Sequence, residues 1–242
     1  MVTHTRNYGI DLLRLVFMFM ICVIHVIGQG GVLSSSAEGT AHYSVYWLIE
    51  VLVFCAADGF AFISGYTARN KPQKYSKIVN MWFQVLFYSF FLSVLVTLIG
   101  LDGSWTMKTI VVRLLPVTFN EFWYFTAYFA LFFVAPILNE FLFKANESES
   151  KKMFIVLFVL FSIMGTLADP FKSQWGYSAI WLIVIYCLGV LAKRIKLFEQ
   201  KKTITLVIMW LCLNLVSWAL LIFSGIGVLV NYLSPTILLS SM

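Results

Sequence analysis

Tyr8-Gly-Ile-Asp-Leu-Leu-Arg-Leu-Val-Phe-Met-Phe-Met-Ile-Cys-Val-Ile-His-Val-Ile-Gly-Gln29 is an apolar stretch interrupted by only a few polar side chains. About 20 such residues in a helix cross the roughly 30 Å hydrocarbon layer of a bilayer, so the stretch reads as a membrane span with limits near 10–30. It leaves through the small residues Gly28, Gly30 and Gly31. A secretory signal has a shorter apolar region and an A-x-A-like cleavage site, which this segment lacks, so the helix is expected to be retained.

Outward from this segment, comparable runs occur near 46–68, 79–101, 122–143, 152–168, 178–193, 203–224 and 226–242. The fifth and sixth are short, and the last stops at Met242 without a charged anchor, so the C-terminal part of the bundle is expected to be missing. The expected fold class is all-α: a polytopic transmembrane helical bundle of about eight spans, one domain over 1–242, with a cytoplasmic N-terminus. Composition agrees, with 61% hydrophobic and 12% charged residues and a mean hydropathy of +0.89. Soluble domains carry roughly 25% charged residues, and no soluble core hides this much apolar surface. Cys22, Cys55, Cys187 and Cys212 all fall inside apolar runs without metal-ligand spacing and read as small hydrophobes.

Positive charge orients the chain. With the N-terminus inside, the cytoplasmic connections carry Arg6, then Arg69, Lys71, Lys74 and Lys77, then Lys144, Lys151 and Lys152, and finally Lys193, Arg194, Lys196, Lys201 and Lys202. Lys108, Arg113 and Lys172 fall outside, an asymmetry that the positive-inside rule describes. The net charge of +6 is thereby accounted for by topology and anionic lipid of the inner leaflet, so membrane lipids are expected partners and nucleic acid is not. Residues 104–119 are too short and too charged to cross, yet too apolar for water, and are expected to form an interfacial or re-entrant helix on the outer face.

An ionisable group at bilayer depth costs free energy unless a partner, water or ligand compensates it. Arg14 and His25 have ten residues between them on the first span, and the resulting eleven steps of 100° leave them about 20° apart around the helix and roughly 16 Å apart along it. Asp11 lies one turn before Arg14, and Glu50 and Asp58 lie on the second, antiparallel span, so a polar seam between the first two spans is expected. Snorkelling of Arg14 and a purely interhelical role for His25 are the structural alternatives. An imidazole, ordinarily titrating near about 6.5, can take a proton from a hydroxyl, and a guanidinium nearer the cytoplasm can hold phosphate. The pair suits group transfer from a cytosolic phosphate-bearing donor. At the end of the second span, Ser64, Gly65 and Tyr66 precede Arg69 and several lysines, where small residues and cations can receive an anionic nucleotide.

Motifs that run in order through the chain carry a resemblance. They are Tyr8-Gly-Ile-Asp-Leu-Leu-Arg14 with His25, Phe60-Ala-Phe-Ile-Ser-Gly-Tyr66 with Arg69, Phe122-Trp-Tyr-Phe-Thr-Ala-Tyr128 with Pro136-Ile-Leu-Asn139, Gly176-Tyr-Ser-Ala-Ile-Trp-Leu182 before Tyr186-Cys-Leu-Gly189, and Asn231-Tyr-Leu-Ser-Pro235. Together they resemble the acyltransferase 3 family of bacterial membrane O-acyltransferases, which acetylate surface carbohydrates. The resemblance implies a bundle of about ten spanning helices in the bacterial cytoplasmic membrane. It also implies transfer of an acyl group, most often acetyl from acetyl-CoA, to a carbohydrate hydroxyl. It makes His25 the base or acyl relay and Arg14 its partner. Arg69, with Ser64, Gly65 and Tyr66, becomes the contact for coenzyme A, and Asp58, Glu121, Trp123 and Tyr124 face the acceptor. No metal is expected.

Two chemical routes remain open from these residues. In one, neutral His25 takes the proton of a sugar hydroxyl as it attacks the thioester; in the other, a covalent acyl-enzyme forms first. Placed about 15 residues into its span, His25 would lie roughly 22 Å from the cytoplasmic edge, beyond the midplane. The alternatives from other classes are a small-solute transporter, a non-catalytic scaffold and an inactive fragment of the transferase.

Overall fold

The computed structural model describes residues 7–70, 74–101 and 105–242; Arg6, Lys71 and the first residue of the expected interfacial segment, Ser104, lie outside them. The described residues are helical and contain no strand.

The first span is α1 (Tyr8–Ile24), continued by a π-helical turn, His25–Gln29. The Asn7 side chain starts it by accepting from the N–H groups of Gly9 and Ile10 at 3.1 and 3.3 Å, so two of the helix's unmatched donors find partners. The π turn closes on a bond of 2.7 Å from the Gly30 N–H to the His25 carbonyl. The second span is bent at Cys55 into α2 (Ala41–Phe54) and α3 (Ala56–Tyr66). Then follow α4 (Tyr75–Leu98), the short α5 (Met107–Leu114) and α6 (Trp123–Leu142). The helix α7 (Glu147–Leu157) runs through a second π segment, Phe158–Met164, into α8 (Gly165–Ala168). The chain ends in α9 (Ala179–Arg194), α10 (Thr203–Ser224) and α11 (Pro235–Ser241).

Six helical units are long and apolar enough to cross a membrane: Tyr8–Gln29, Ala41–Tyr66, Tyr75–Leu98, Trp123–Leu142, Glu147–Ala168 and Thr203–Ser224. The expectation of about eight is corrected at two places. The run at 178–193 is α9, whose 16 residues reach only about 24 Å. The run at 226–242 is a 3-10 turn at Gly227–Leu229, a non-helical stretch and the seven-residue α11, which begins at Pro235. Proline has no N–H to extend a helix backward, so an apolar count overstates that span. The run at 152–168 gains a turn at its start through a capping box, in which Asn146 and Glu149 each satisfy the other's backbone N–H. Within 104–119 the described residues form one short helix, α5, whose preceding Trp105 donates its indole N–H to the Thr97 hydroxyl of α4 at 2.7 Å.

The short helix sits at the centre. Eleven of the 16 residues of α9 are buried, and α3, α6 and α7 pack around it. Its partners α3 and α6 run parallel to it: Asp58 meets Trp181 and Gly65 meets Tyr186 on α3, while Asn139 meets Tyr186 on α6. The α3 contact is made backbone to backbone. A Cβ on Gly65 would stand 2.0 Å from the Tyr186 carbonyl oxygen, and one on Gly189 would stand 2.2 Å from that of Phe62. Small residues of this kind let membrane helices approach closely, where dispersion contacts rather than the hydrophobic effect hold them.

Helix direction alternates so that Thr67, Ala145 and Arg194 share one end of the bundle. Arg194 donates to the Ser150 hydroxyl and the Ala145 carbonyl, and Lys193 lies over the Tyr66 ring. This end is rich in lysine and arginine, and it is the end that the positive-inside rule assigns to the cytoplasm.

Candidate functional site

Arg14 lies at the cytoplasmic end of α1. Its guanidinium pairs with Asp11 one turn earlier at 3.4 Å and reaches the Thr67 hydroxyl at 3.5 Å, so it bridges α1 to the end of α3. Its side chain remains 45% exposed, which leaves it open to an anion arriving from that side. Arg69 is exposed in the turn just beyond α3. Ser64 bonds back to the Phe60 carbonyl at 2.8 Å, and Tyr66 packs against Phe62 and Phe198 beneath Lys193. Gly65 is buried against α9, so its missing side chain serves helix packing and leaves no surface for a nucleotide. The same holds for Gly59, where a Cβ would fall 2.3 Å from the Phe17 ring.

His25 opens the π turn at the far end of α1 and is exposed. Its Nδ1 lies 2.8 Å from the Ile21 carbonyl oxygen. A carbonyl only accepts, so in the neutral ring this contact assigns the proton to Nδ1 and leaves the lone pair on Nε2. The carbonyl holds the ring at one nitrogen and frees the other to accept a proton. Extra residues in π turns of this kind often re-aim a side chain at a working site.

The expected seam between the first two spans forms only in part. Glu50 does face the first span, its Oε1 3.1 Å from the place a Gly28 Cβ would take. Asp58, on α3, is bonded to α9 instead, although α3 also packs against α1 through Gly59 and Phe17. Asp58 is 1% exposed and accepts a hydrogen bond of 3.1 Å from the Trp181 indole. Pairing of Asp58 with Arg14 or His25 is therefore replaced by a bond to α9.

Around these two acids the ends of α2, α6 and α9 bring aromatic rings together. Trp123 packs edge-on against Tyr124 and Tyr177, with centroids 5.4 and 4.8 Å apart, and Tyr232 lies 4.9 Å from Tyr177. Phe54 stacks on Tyr232 at 4.4 Å. Burial pushes the Tyr177 phenol above the ordinary tyrosine range, so its hydroxyl stays protonated at neutral pH. Tyr124 is within electrostatic reach of Asp58, and Trp123 packs on Tyr124, whereas Glu121 is exposed in the turn after Pro116. Tyr177, Tyr232 and Glu50 complete this cluster and were not among the expected site residues. Their signal was present in Gly176-Tyr177 and Asn231-Tyr232, two motifs that carried the resemblance without an assigned chemistry. Among the described residues no three His, Cys, Asp or Glu side chains converge.

The molecule thus holds an imidazole with one committed and one available nitrogen, an arginine at the cytoplasmic end of the same helix, and an acid–aromatic cluster beside the second span. No curated protein and no solved structure matches the chain. The family model described as an acyltransferase domain matches residues 7–242, which contain every one of these groups. The chain is a multi-pass membrane protein that belongs to the acyltransferase 3 family.

Proposed function

We propose that this membrane acyltransferase takes an acyl group, acetyl in the simplest case, from acyl-CoA on the cytoplasmic side of the bacterial cell membrane and delivers it to a hydroxyl of a cell-surface carbohydrate. The observation that carries this reading is the His25 ring, held at Nδ1 by the Ile21 carbonyl with Nε2 available. In the transfer, Nε2 takes the proton of the acceptor hydroxyl as its oxygen attacks the thioester carbonyl; the new C–O bond forms, the C–S bond breaks, and the imidazolium returns its proton to the leaving thiolate. The Ile21 carbonyl, accepting from Nδ1–H, supports the transient positive charge on the ring. Arg14 and Arg69, both at the cytoplasmic end, are placed to hold the phosphates of the donor. Asp58, Trp123 and Tyr124 sit on the acceptor's side of the bundle.

The test is incorporation of label from acetyl-CoA into polysaccharide by membranes carrying the protein, compared with His25→Ala and His25→Gln. Loss of roughly 100-fold or more in both variants, at matched protein level, supports the reading, because general-base catalysis contributes about that much. Equal incorporation by His25→Gln, which cannot act as a base, rules out His25 as the proton acceptor. No incorporation by well-folded wild type favours a carrier or scaffold.

A further inference from the structure

Glu50 is 6% exposed, lies inside a membrane span, and its Oε2 has no hydrogen-bond partner among the described residues. One turn earlier on the same face of α2, the Trp47 indole Nε1 is also buried with no acceptor. When ionised the carboxylate only accepts, and the indole only donates. Each is costly to bury alone, since an unmet polar atom forfeits its full hydration. A hydroxyl satisfies both at once: it donates to the carboxylate and accepts from the indole.

The surroundings narrow the kind of hydroxyl. Glu50 presses on the π turn that starts at His25, and it is within electrostatic reach of Tyr177 and Tyr232. Tyr232 is buried, stacked on Phe54 and edge-on to Tyr177, so the accessible aromatic surface of this group is that of Tyr177, which is 42% exposed. Aromatic faces take the C–H side of a pyranose, and carboxylates take its hydroxyls. Structural burial does not explain the pair, because an apolar residue at position 50 would satisfy the packing with no unmatched oxygen.

Resting on the transfer reading above, we propose that Glu50 and Trp47 bind a non-reacting hydroxyl of the carbohydrate acceptor, with Tyr177 beside the sugar ring, and so set the acceptor against the His25 turn. Glu50 is here a positioning residue; it takes no proton in the chemical step. The titratable groups within its electrostatic reach are Tyr177 and Tyr232.

The experiment compares wild type with Glu50→Gln, Glu50→Leu and Trp47→Phe in purified, detergent-solubilised protein. Two quantities are read: the unfolding midpoint with and without glucose, rhamnose or N-acetylglucosamine as probes, and the KM values for acceptor and acetyl-CoA. At least one sugar is expected to raise the wild-type midpoint, and Glu50→Leu is expected to lose that shift while being at least as stable as wild type without sugar. The acceptor KM is expected to rise about tenfold or more in Glu50→Leu and Trp47→Phe, with the acetyl-CoA KM unchanged. A sugar shift preserved in Glu50→Leu, or an unchanged acceptor KM, overturns the proposal while leaving the transferase reading intact. A Glu50→Leu protein much less stable than wild type without sugar assigns the carboxyl a structural partner, such as bound water, and also overturns it. A sugar shift lost in Glu50→Leu, in a protein that transfers no acyl group, keeps this binding site and removes the transferase reading. No shift of wild type by any of the three sugars overturns the site.

Discussion

Trp181 is wholly buried and its indole N–H is the bond that Asp58 accepts from the opposite side of the α3–α9 contact. Replacing it with Phe keeps a ring in the core but leaves both oxygens of a buried carboxyl without a donor. A loss of about 1–3 kcal/mol or more in stability is expected, read as a lowered unfolding midpoint in detergent. Asp58→Asn keeps an oxygen that can accept from the indole, so it is expected to unfold close to wild type; a large loss of stability would show that the carboxyl has a further structural partner. At this scale the sequence was informative where both residues sit on one helix. The spacing of Arg14 and His25, and the turn from Asp11 to Arg14, follow from helix geometry alone. Asp58 and Trp181 are 123 residues apart, and no local rule links them.

Among the elements, the α3–α9 contact makes the sharpest demand. An Ala in place of a mid-helix Gly ordinarily stabilises a helix by about 0.5–1 kcal/mol through reduced backbone freedom. At Gly65 and Gly189 the sign is expected to reverse, because the added methyl meets a carbonyl oxygen of the partner helix. Overpacking of this kind costs about 1–3 kcal/mol, and thermal unfolding of Gly65→Ala and Gly189→Ala checks it; an unchanged or raised midpoint would refute backbone contact there. The turn between α8 and α9 depends instead on one acid. Desolvation alone would raise the Asp169 carboxyl, but the Ser173 hydroxyl and the N–H groups of Ser173, Trp175 and Gln174 outweigh it and hold the group below its ordinary 3.8. A carboxyl depressed in the folded state contributes stability that is full above the ordinary value and fades as pH falls through the depressed one. The protection of residues 169–176 against hydrogen exchange, taken relative to the intrinsic rate at each pH, is therefore expected to be flat from neutrality to about pH 4 and to fall below it, and Asp169→Asn is expected to abolish that step. Helix breaks were the hardest feature to read from hydropathy, because the break at Cys55 falls inside a largely apolar run that carries no proline.

For the whole molecule, orientation is the property most directly open to test. In a background with the four cysteines replaced, a single cysteine at Lys196 is expected to resist a membrane-impermeant thiol reagent in intact cells, and one at Lys108 to react; the reverse would invert the topology. The sequence by itself determined the membrane class and the family motifs, and it set the expected orientation and the expected shared face of Arg14 and His25. Each of these depends on composition, charge or spacing along one helix. Only the tertiary structure decided that the short α9 is the buried centre, that Gly59 and Gly65 serve packing, that Asp58 faces α9, and that Glu50 joins Tyr177 and Tyr232 beside the His25 turn. The physical reason is common to all four. In a bundle where nearly every segment is apolar, hydropathy cannot distinguish a face against lipid from a face against protein, and close contacts between distant segments settle which is which.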